Sequence, residues 1–157
     1  EISEFLKNRL KLALHPEKQF LQPVSHGIDF LGYIVRPDYV LSRRRIVANF
    51  KKKLYYFNKL LNGNARPWPE KQNFQLALPL IFSDQMPTLE FIQKVQATVN
   101  SYYGHFKHAD CSSLRKNLHQ GYFKELKNFL DPADKTFSFF IINPAIKKFY
   151  QEKNQDY

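Results

Sequence analysis

Apolar residues recur every three or four positions through most of this chain after residue 42, and this spacing restricts the fold more than any other feature. Such spacing places the apolar side chains on one face of an α-helix. Three stretches show it: residues 43–61 (Ile46, Phe50, Leu54, Phe57, Leu61), 88–106 (Leu89, Ile92, Val95, Val99, Tyr102, Phe106) and 112–129 (Leu114, Leu118, Phe123, Leu126, Phe129). Each apolar face needs a partner surface, so the sequence predicts helices that pack together as a bundle.

Residues that favour the ends of helices set the predicted limits of these three helices. Thr88 is a candidate N-cap for the second helix, which we expect to stop near His108. Ser112 or Ser113 opens the third, which we expect to be interrupted at Gly121 and ended by Asp131-Pro132. A strand at 136–142 and a helix at 144–153 complete the prediction.

The long connection between the first two helices is less regular. The first helix is expected to stop at Asn62-Gly63-Asn64, followed by an irregular stretch around Trp68 with its flanking prolines. The apolar run at 72–82 fits either a short helix or a strand, and the sequence alone leaves the two alternatives open.

The first 42 residues follow a different pattern. Residues 2–12 have helical spacing, and Pro16 limits the helix. Two β-like runs at 20–24 and 28–35, separated by the polar sequence SHG, predict a hairpin, and 39–41 fits a short extra strand. We therefore predict an α+β protein, with a short helix and β-hairpin in residues 1–42 and a mostly helical domain in residues 43–157.

The charge balance favours a polyanionic partner. Lysine and arginine number 24 against 14 acidic residues among 157, a formal net charge of +10. Such a surplus is typical of nucleic-acid binding, with a membrane surface as the weaker competitor and plain solubility as the alternative. The longest nearly apolar run, residues 137–142, is far too short to span a bilayer, so we expect no membrane partner.

Basic residues are concentrated in the first helix of the predicted bundle. The predicted contacts to nucleic acid there are Arg43, Arg44, Arg45, Asn49, Lys51, Lys52 and Lys53. They cannot all share one helix face, but no acidic residue stands four positions away from any of them, so ion pairs along the helix do not explain them. Phosphate contact is the favoured interpretation, and a solvated helix face is the alternative.

Cysteine usage bears on where the protein works. Cys111 is the single cysteine, so no internal disulfide can form, and no Cys and His residues have zinc-site spacing. A reducing, cytoplasmic setting is therefore expected. Because the helical pattern begins at once after Glu1, we also expect the chain to be a piece of a longer protein.

Three segments of the chain resemble the reverse transcriptases of bacterial retroelements, which include group II introns, retrons and diversity-generating elements. They are LKLALHPEK at residues 10–18, GIDFLGY at 27–33 and NSYYGHFKHA at 100–109. The first is similar to the segment that follows the family's catalytic turn, the second to its primer-grip hairpin and the third to a motif of its thumb domain. The resemblance covers roughly residues 1–130 and leaves the last residues unplaced.

This resemblance implies the end of the palm and the thumb of an RNA-directed DNA polymerase. The implied partners are RNA, an RNA–DNA hybrid and the upstream fingers and palm of the same protein. Phe30, Leu31, Gly32 and Tyr33 would form the primer grip, where a glycine inside a strand would leave bare backbone for the primer to approach. The alternative is an ordinary hairpin in which Phe30 and Tyr33 are core residues.

The thumb-like segment and the helix after it add further candidate contacts to nucleic acid. These are Tyr103, His105, Lys107, His108, Arg115 and Lys116. Aromatic and basic groups are mixed in this way on many surfaces that bind nucleic acid, whereas Tyr102 and Phe106 are in phase with the core. For the histidines, a plain surface or helix-end role is favoured over metal binding or acid–base chemistry.

The carboxylates that a polymerase needs are missing from the sequence. Polymerases use two metal ions held by aspartates, and this chain has no Asp-Asp pair. We expect Mg²⁺ and its ligands to belong to a part of the parent enzyme before Glu1, and this chain to hold no catalytic or metal-binding residue and to be inactive alone. The alternatives are a stand-alone basic RNA-binding module, similar to a maturase, and a protein-interaction scaffold.

Overall fold

The computed structural model describes residues 1–18, 21–62 and 87–153. In chain order the elements are α1 (Ile2–Leu10), β1 (Ile28–Phe30), β2 (Tyr33–Val35), β3 (Val40–Ser42), α2 (Arg44–Leu61), α3 (Leu89–Lys107), α4 (Ser112–Tyr122), β4 (Leu130–Pro132), β5 (Phe140–Ile142) and α5 (Pro144–Lys153). Short 3₁₀ helices lie at Pro16–Lys18, Val24–His26 and Lys124–Asn128. The α+β class expected from the sequence is confirmed.

Strands β1, β2 and β3 form an antiparallel sheet in that order. Phe30 faces Tyr33 across the β1–β2 hairpin, so its loop is the two residues Leu31 and Gly32, with φ of 48° and 89°. Two positive φ values are characteristic of a type I′ turn, which matches the right-handed twist of the strands.

The hairpin exists, but the predicted place of its turn is wrong. Residues 24–26 form a 3₁₀ helix instead of the turn, and 21–23 form no strand, while residues 19–20 lie outside the described part. The polar sequence SHG suggested a turn, but Gly32 supplies the positive φ that a two-residue loop needs. The short third strand predicted at 39–41 is confirmed as β3.

The helical bundle builds the hydrophobic core. Helix α2 contributes Phe50, Leu54 and Phe57, and α3 begins as predicted, because Thr88 Oγ1 accepts a hydrogen bond from the Phe91 N–H at 3.3 Å. The buried apolar residues are Phe50, Leu54, Phe57, Leu60, Phe91, Ile92, Val95, Val99, Tyr103, Phe106, Cys111, Leu118, Phe123, Leu126, Leu130, Phe140 and Tyr150.

Aromatic rings fill the centre of this core. The ring of Tyr103 lies 4.7 Å from that of Phe140, 5.8 Å from Phe50, 6.0 Å from Phe123 and 6.1 Å from Phe106, all edge-on. Edge-to-face packing is favourable for aromatic rings. The core therefore explains part of the chain's high content of Phe and Tyr.

The region after α4 departs from the prediction. The third helix ends at Tyr122, next to the predicted interruption at Gly121, but a 3₁₀ helix replaces its predicted continuation. The predicted strand at 136–142 is confirmed only for its last three residues, β5, which pairs with the unpredicted β4. The predicted last helix is confirmed as α5.

Side chains of α3 hold β5 in place. Asn100 Nδ2 donates to the Phe140 carbonyl at 2.9 Å, and Asn100 Oδ1 accepts from the Phe140 N–H at 2.7 Å. Gln96 Nε2 donates to the same carbonyl at 2.9 Å. The backbone N–H and carbonyl of Phe140, at the edge of this short strand, thereby have hydrogen-bond partners on the neighbouring helix.

The N-terminal sheet is attached to the bundle at the loop between α3 and α4. The Asp110 N–H donates to the Val40 carbonyl at 2.8 Å, and the Asp110 carboxylate accepts from the Val40 N–H at 2.9 Å. Helix α1 has no buried side chain. Within the described ranges, no helix combines the length and the apolar character needed to pass through a bilayer.

Part of the prediction cannot be compared with the structure. Helix α2 ends at Leu61 with Asn62 as its C-cap, as expected. The connection around Trp68 and the undecided run at 72–82 lie outside the described residues.

Candidate nucleic-acid interface

Three segments that are distant in sequence meet at the β1–β2 turn. The Tyr33 ring stacks on the His105 ring of α3, with centroids 4.1 Å apart and planes 10° apart, and the Tyr33 hydroxyl donates to the His105 carbonyl at 3.0 Å. The Arg43 N–H donates to the Gly32 carbonyl at 2.9 Å. The hairpin, the start of α2 and the end of α3 therefore form one junction.

Gly32 has a structural role at this junction. A Cβ at Gly32 would lie 2.6 Å from Ile46 Cδ1 and 3.2 Å from His105 Cε1. The expectation that this glycine sits inside a strand and leaves space for a primer is thus wrong: it lies in the turn, and protein fills the space. Of the four predicted primer-grip residues, Phe30 and Leu31 have side chains that are 60% and 78% exposed and are free to contact a ligand.

One face of α2 presents a row of cations. Arg44, Arg45, Asn49 and Lys52 are exposed, as predicted, and Lys59 extends the same face toward the helix end. Residues 44 to 59 of a helix span about 22 Å at 1.5 Å per residue. In the described part of the chain, no carboxylate pairs with an arginine or lysine of this row. These cations are available for an external anion.

The remaining predicted cations of this region have partners within the protein. Arg43 forms an ion pair with Asp29 of β1. The Lys51 ammonium lies 4.5 Å from the centre of the Tyr122 ring, and that of Lys53 lies 5.5 Å from the Tyr102 ring. Burial lowers the pKa of Lys53, because desolvation disfavours the charged amine. Arg43, Lys51 and Lys53 therefore flank the row of cations but do not belong to it.

Two predicted contacts are corrected by burial. Tyr103 is fully buried, its hydroxyl donates to the Arg115 carbonyl at 3.0 Å, and burial raises its pKa well above the ordinary value. Arg115 itself is only 9% exposed. Neither side chain can contact a nucleic acid on this surface. Tyr102 lies three positions after Val99 and Tyr103 lies four positions after it. Both are helical spacings, so the sequence also allowed Tyr103 as the core residue.

The other candidates near the ends of α3 and α4 are partly or fully exposed. Lys107, His108 and Lys116 are exposed, and His105 is half-buried against Tyr33. The pKa of His105 is below the ordinary value, because burial disfavours the imidazolium and His108 adds repulsion, partly opposed by the Gly32 backbone. Near neutral pH the His105 ring is therefore a stacking group more than a cation.

A cleft that sequence reasoning missed lies between the second half of α2 and the end of α4. Its volume is about 470 Å³, and its lining residues are Lys51, Tyr55, Asn58, Lys59, Asn62, Gly121, Tyr122 and Lys124. A partial signal was present in the sequence, since Tyr55 and Lys59 are four positions apart and share a helix face.

Carboxylates do not gather in the described part of the chain. No three side chains of His, Cys, Asp or Glu come together there as a metal site.

Comparison of the chain with protein-family models, with curated proteins and with solved structures found no match.

Proposed function

We propose that this chain is the palm end and thumb of an RNA-directed DNA polymerase, and that it holds an RNA–DNA template–primer duplex by its phosphates. The observation that carries the proposal is the junction at the β1–β2 turn. The resembling segments at 27–33 and 100–109 are far apart in sequence but pack together there through Tyr33 and His105. A primer grip needs such packing between the two segments, because the turn must be held rigidly against the thumb to fix the position of the primer end.

The row of cations on α2 starts at the same junction. The Arg43 N–H is bonded to the Gly32 carbonyl, so Arg44 and Arg45 follow directly in sequence after a residue held at the turn. The turn residue Leu31 and the strand residue Phe30 next to it are exposed. Cations that contact phosphates position a duplex without reading its sequence. A row of about 22 Å can follow several successive phosphates of one strand.

Exposed apolar side chains in residues 1–42 support a covering partner. Large apolar residues that are more than half exposed there are Ile2, Phe5, Leu10, Leu12, Leu21, Val24, Ile28, Phe30 and Leu31. The concentration of such exposed apolar side chains in one part of the chain supports a contact region there. In this proposal, upstream fingers and palm cover most of it and supply the carboxylates for Mg²⁺, and this chain alone does not polymerise.

The direct test is the salt dependence of hybrid binding. Replacing Arg44, Arg45 and Lys52 with Gln should flatten the slope of log affinity against log salt, by about 0.9 per lost phosphate contact on B-form DNA and by a similar amount on a hybrid. The control replaces Lys135, Lys147 and Lys148 with Gln. These lysines are exposed, lie outside α2 and carry the same total charge, and Lys148 pairs with Glu152 at 3.6 Å.

The control separates local contact from net charge. Equal slopes for the two triple variants would remove α2 from the binding face. Tighter binding of a folded RNA than of a hybrid would instead favour a stand-alone RNA-binding module, and weak binding without salt dependence would favour a protein-interaction scaffold.

A further inference from the structure

The cleft between α2 and α4 combines rings and cations. Tyr55 and Tyr122 are 68% and 39% exposed on its walls, and Lys51, Lys59 and Lys124 line it. Within the part of the chain that the structure describes, no acidic side chain lines it. Its volume of about 470 Å³ is in the range of sites for small molecules, about 300–1,000 Å³.

Hydrogen bonds of a buried amide fix the shape of this cleft. Asn58 Nδ2 donates to the Leu54 carbonyl at 2.7 Å and to the Tyr122 carbonyl at 3.0 Å, and Asn58 Oδ1 accepts from the Leu126 N–H at 3.4 Å. The side chain thus joins α2 to the end of α4 and to the 3₁₀ helix that follows. A site that is already formed loses less conformational freedom when a ligand binds.

The chemistry of the walls identifies the ligand. A flat tyrosine face suits a nucleobase, and a lysine ammonium suits the phosphate attached to it. Inside a duplex the base faces are covered by their neighbours, so only an unpaired base can reach the tyrosines. Lys59 belongs to the cleft and also to the row of cations on α2, so phosphates next to the bound nucleotide would meet Lys52.

We propose that this cleft binds an unpaired nucleotide of a single-stranded nucleic acid, with its base on Tyr55 and its phosphate on Lys59 or Lys124. The site lies at the end of α2 away from the β1–β2 turn and shares Lys59 with the row of cations, but the proposal rests on the cleft and does not need the duplex contact. It holds whether or not the chain belongs to a polymerase.

Gly121 offers a clean way to block the cleft. A Cβ at Gly121 would meet nothing within 4 Å, and Gly121 lines the cleft, so a larger side chain there would reduce the space in the cleft. Gly121→Leu is the blocking variant and Gly121→Ala is its control at the same position. Both remove a helix glycine, so both should keep or slightly raise stability.

The measurement is binding of a labelled oligouridine, which does not pair with itself, by fluorescence anisotropy. We expect Gly121→Leu to weaken binding about tenfold or more, as the loss of one stacked base would, and Gly121→Ala to change it little. The variants Tyr55→Ala and Lys59→Gln with Lys124→Gln should each weaken it too. Equal affinities for the Leu and Ala variants would overturn the proposal.

Two further outcomes keep this proposal distinct from the duplex proposal. Gly121→Leu should leave hybrid affinity nearly unchanged, and an equal loss for hybrid and oligouridine would overturn the selectivity for unpaired nucleotides. Free uridine monophosphate should compete weakly, because it lacks the neighbouring phosphates. Competition as strong as that of oligouridine would overturn the single-stranded ligand in favour of a mononucleotide site.

Discussion

Residues 1–42 and the helical bundle differ in how they use their apolar side chains. Among the residues that the structure describes, every apolar residue of the buried core lies at position 50 or later, whereas Phe5, Leu10 and Leu31 in the first part are more than half exposed. The sequences of both parts are rich in apolar residues. The apolar side chains of the bundle pack against one another, whereas the first part is held mainly by its junction with the bundle. We therefore expect only the bundle to be stable by itself.

The largest effect is expected when one aromatic ring is removed from each part and the losses of stability are compared. Tyr103→Ala should lower the free energy of unfolding by about 3–5 kcal/mol, because it leaves a cavity among four rings and removes a buried hydrogen bond. Phe5→Ala should change it by no more than about 0.5 kcal/mol. Urea denaturation followed by circular dichroism measures both. Similar losses for the two variants would mean that the first part contributes to the core after all.

A smaller effect is expected at the junction itself. Gly32→Val should lower the free energy of unfolding by about 1–3 kcal/mol, because a β-branched residue is strained at positive φ and overlaps Ile46. Leu31→Asn, at the other turn position, is the control and should keep or raise stability, because Asn tolerates positive φ.

Combining Gly32→Val with Ile46→Val separates the two causes. The shorter side chain lacks the Cδ1 atom that a Cβ at Gly32 would meet, so it should relieve the overlap but leave the φ strain. A double variant with no recovery at all would assign the whole loss to the backbone. Hydrogen exchange at Ile34 and Leu41 shows whether the sheet loosens before the bundle.

The smallest expected effect is a pH dependence within the bundle. Burial holds the pKa of His119 below its ordinary value, with Lys127 adding to this and Asp131 opposing it. Its ring lies 4.9 Å from Phe123 and 5.6 Å from Phe140. The unfolded chain binds this proton more readily, so stability is complete above the ordinary histidine pKa of about 6.5 and declines as pH falls below it.

Thermal melting at a series of pH values measures this decline. His119→Gln should reduce the slope between about pH 6.5 and 5, whereas His26→Gln, an exposed histidine in the first part, should leave it unchanged. His105 has a lowered pKa as well, so part of the slope should remain in the His119 variant. An unchanged slope would show that the protonated imidazole is accommodated between the rings.

The elements with the strongest helical spacing were predictable. Helix α2 was predicted to within one residue at its start, and Thr88 was identified as a cap, because both depend on local spacing and hydrogen bonding. The hairpin turn was misplaced because a polar cluster is a weaker signal than the φ requirement of Gly32. Tyr103 was misassigned because two adjacent tyrosines both fit the helical spacing.

The candidate sites were less predictable than the helices. The basic face of α2 could be read from the sequence, since it belongs to one helix. The cleft could not, because its walls come from residues 51–62 and 121–124 and meet only through tertiary packing. The junction of Tyr33 with His105 spans 72 positions, and no local pattern connects them.

The amide of Asn58 also sets the alignment of α2 along its neighbours. If α2 slid by one turn, either Leu54 or Asn62 would take the place of Asn58. With Leu54 there, the Tyr122 carbonyl and the Leu126 N–H would lose their hydrogen bonds to the Asn58 amide, and the Leu126 N–H would keep only its bond to the Phe123 carbonyl, at a total cost of about 1–2 kcal/mol. With Asn62 there, Asn58 would enter the apolar position of Leu54. This one polar residue therefore makes a one-turn shift of the helix in either direction less stable than the native register.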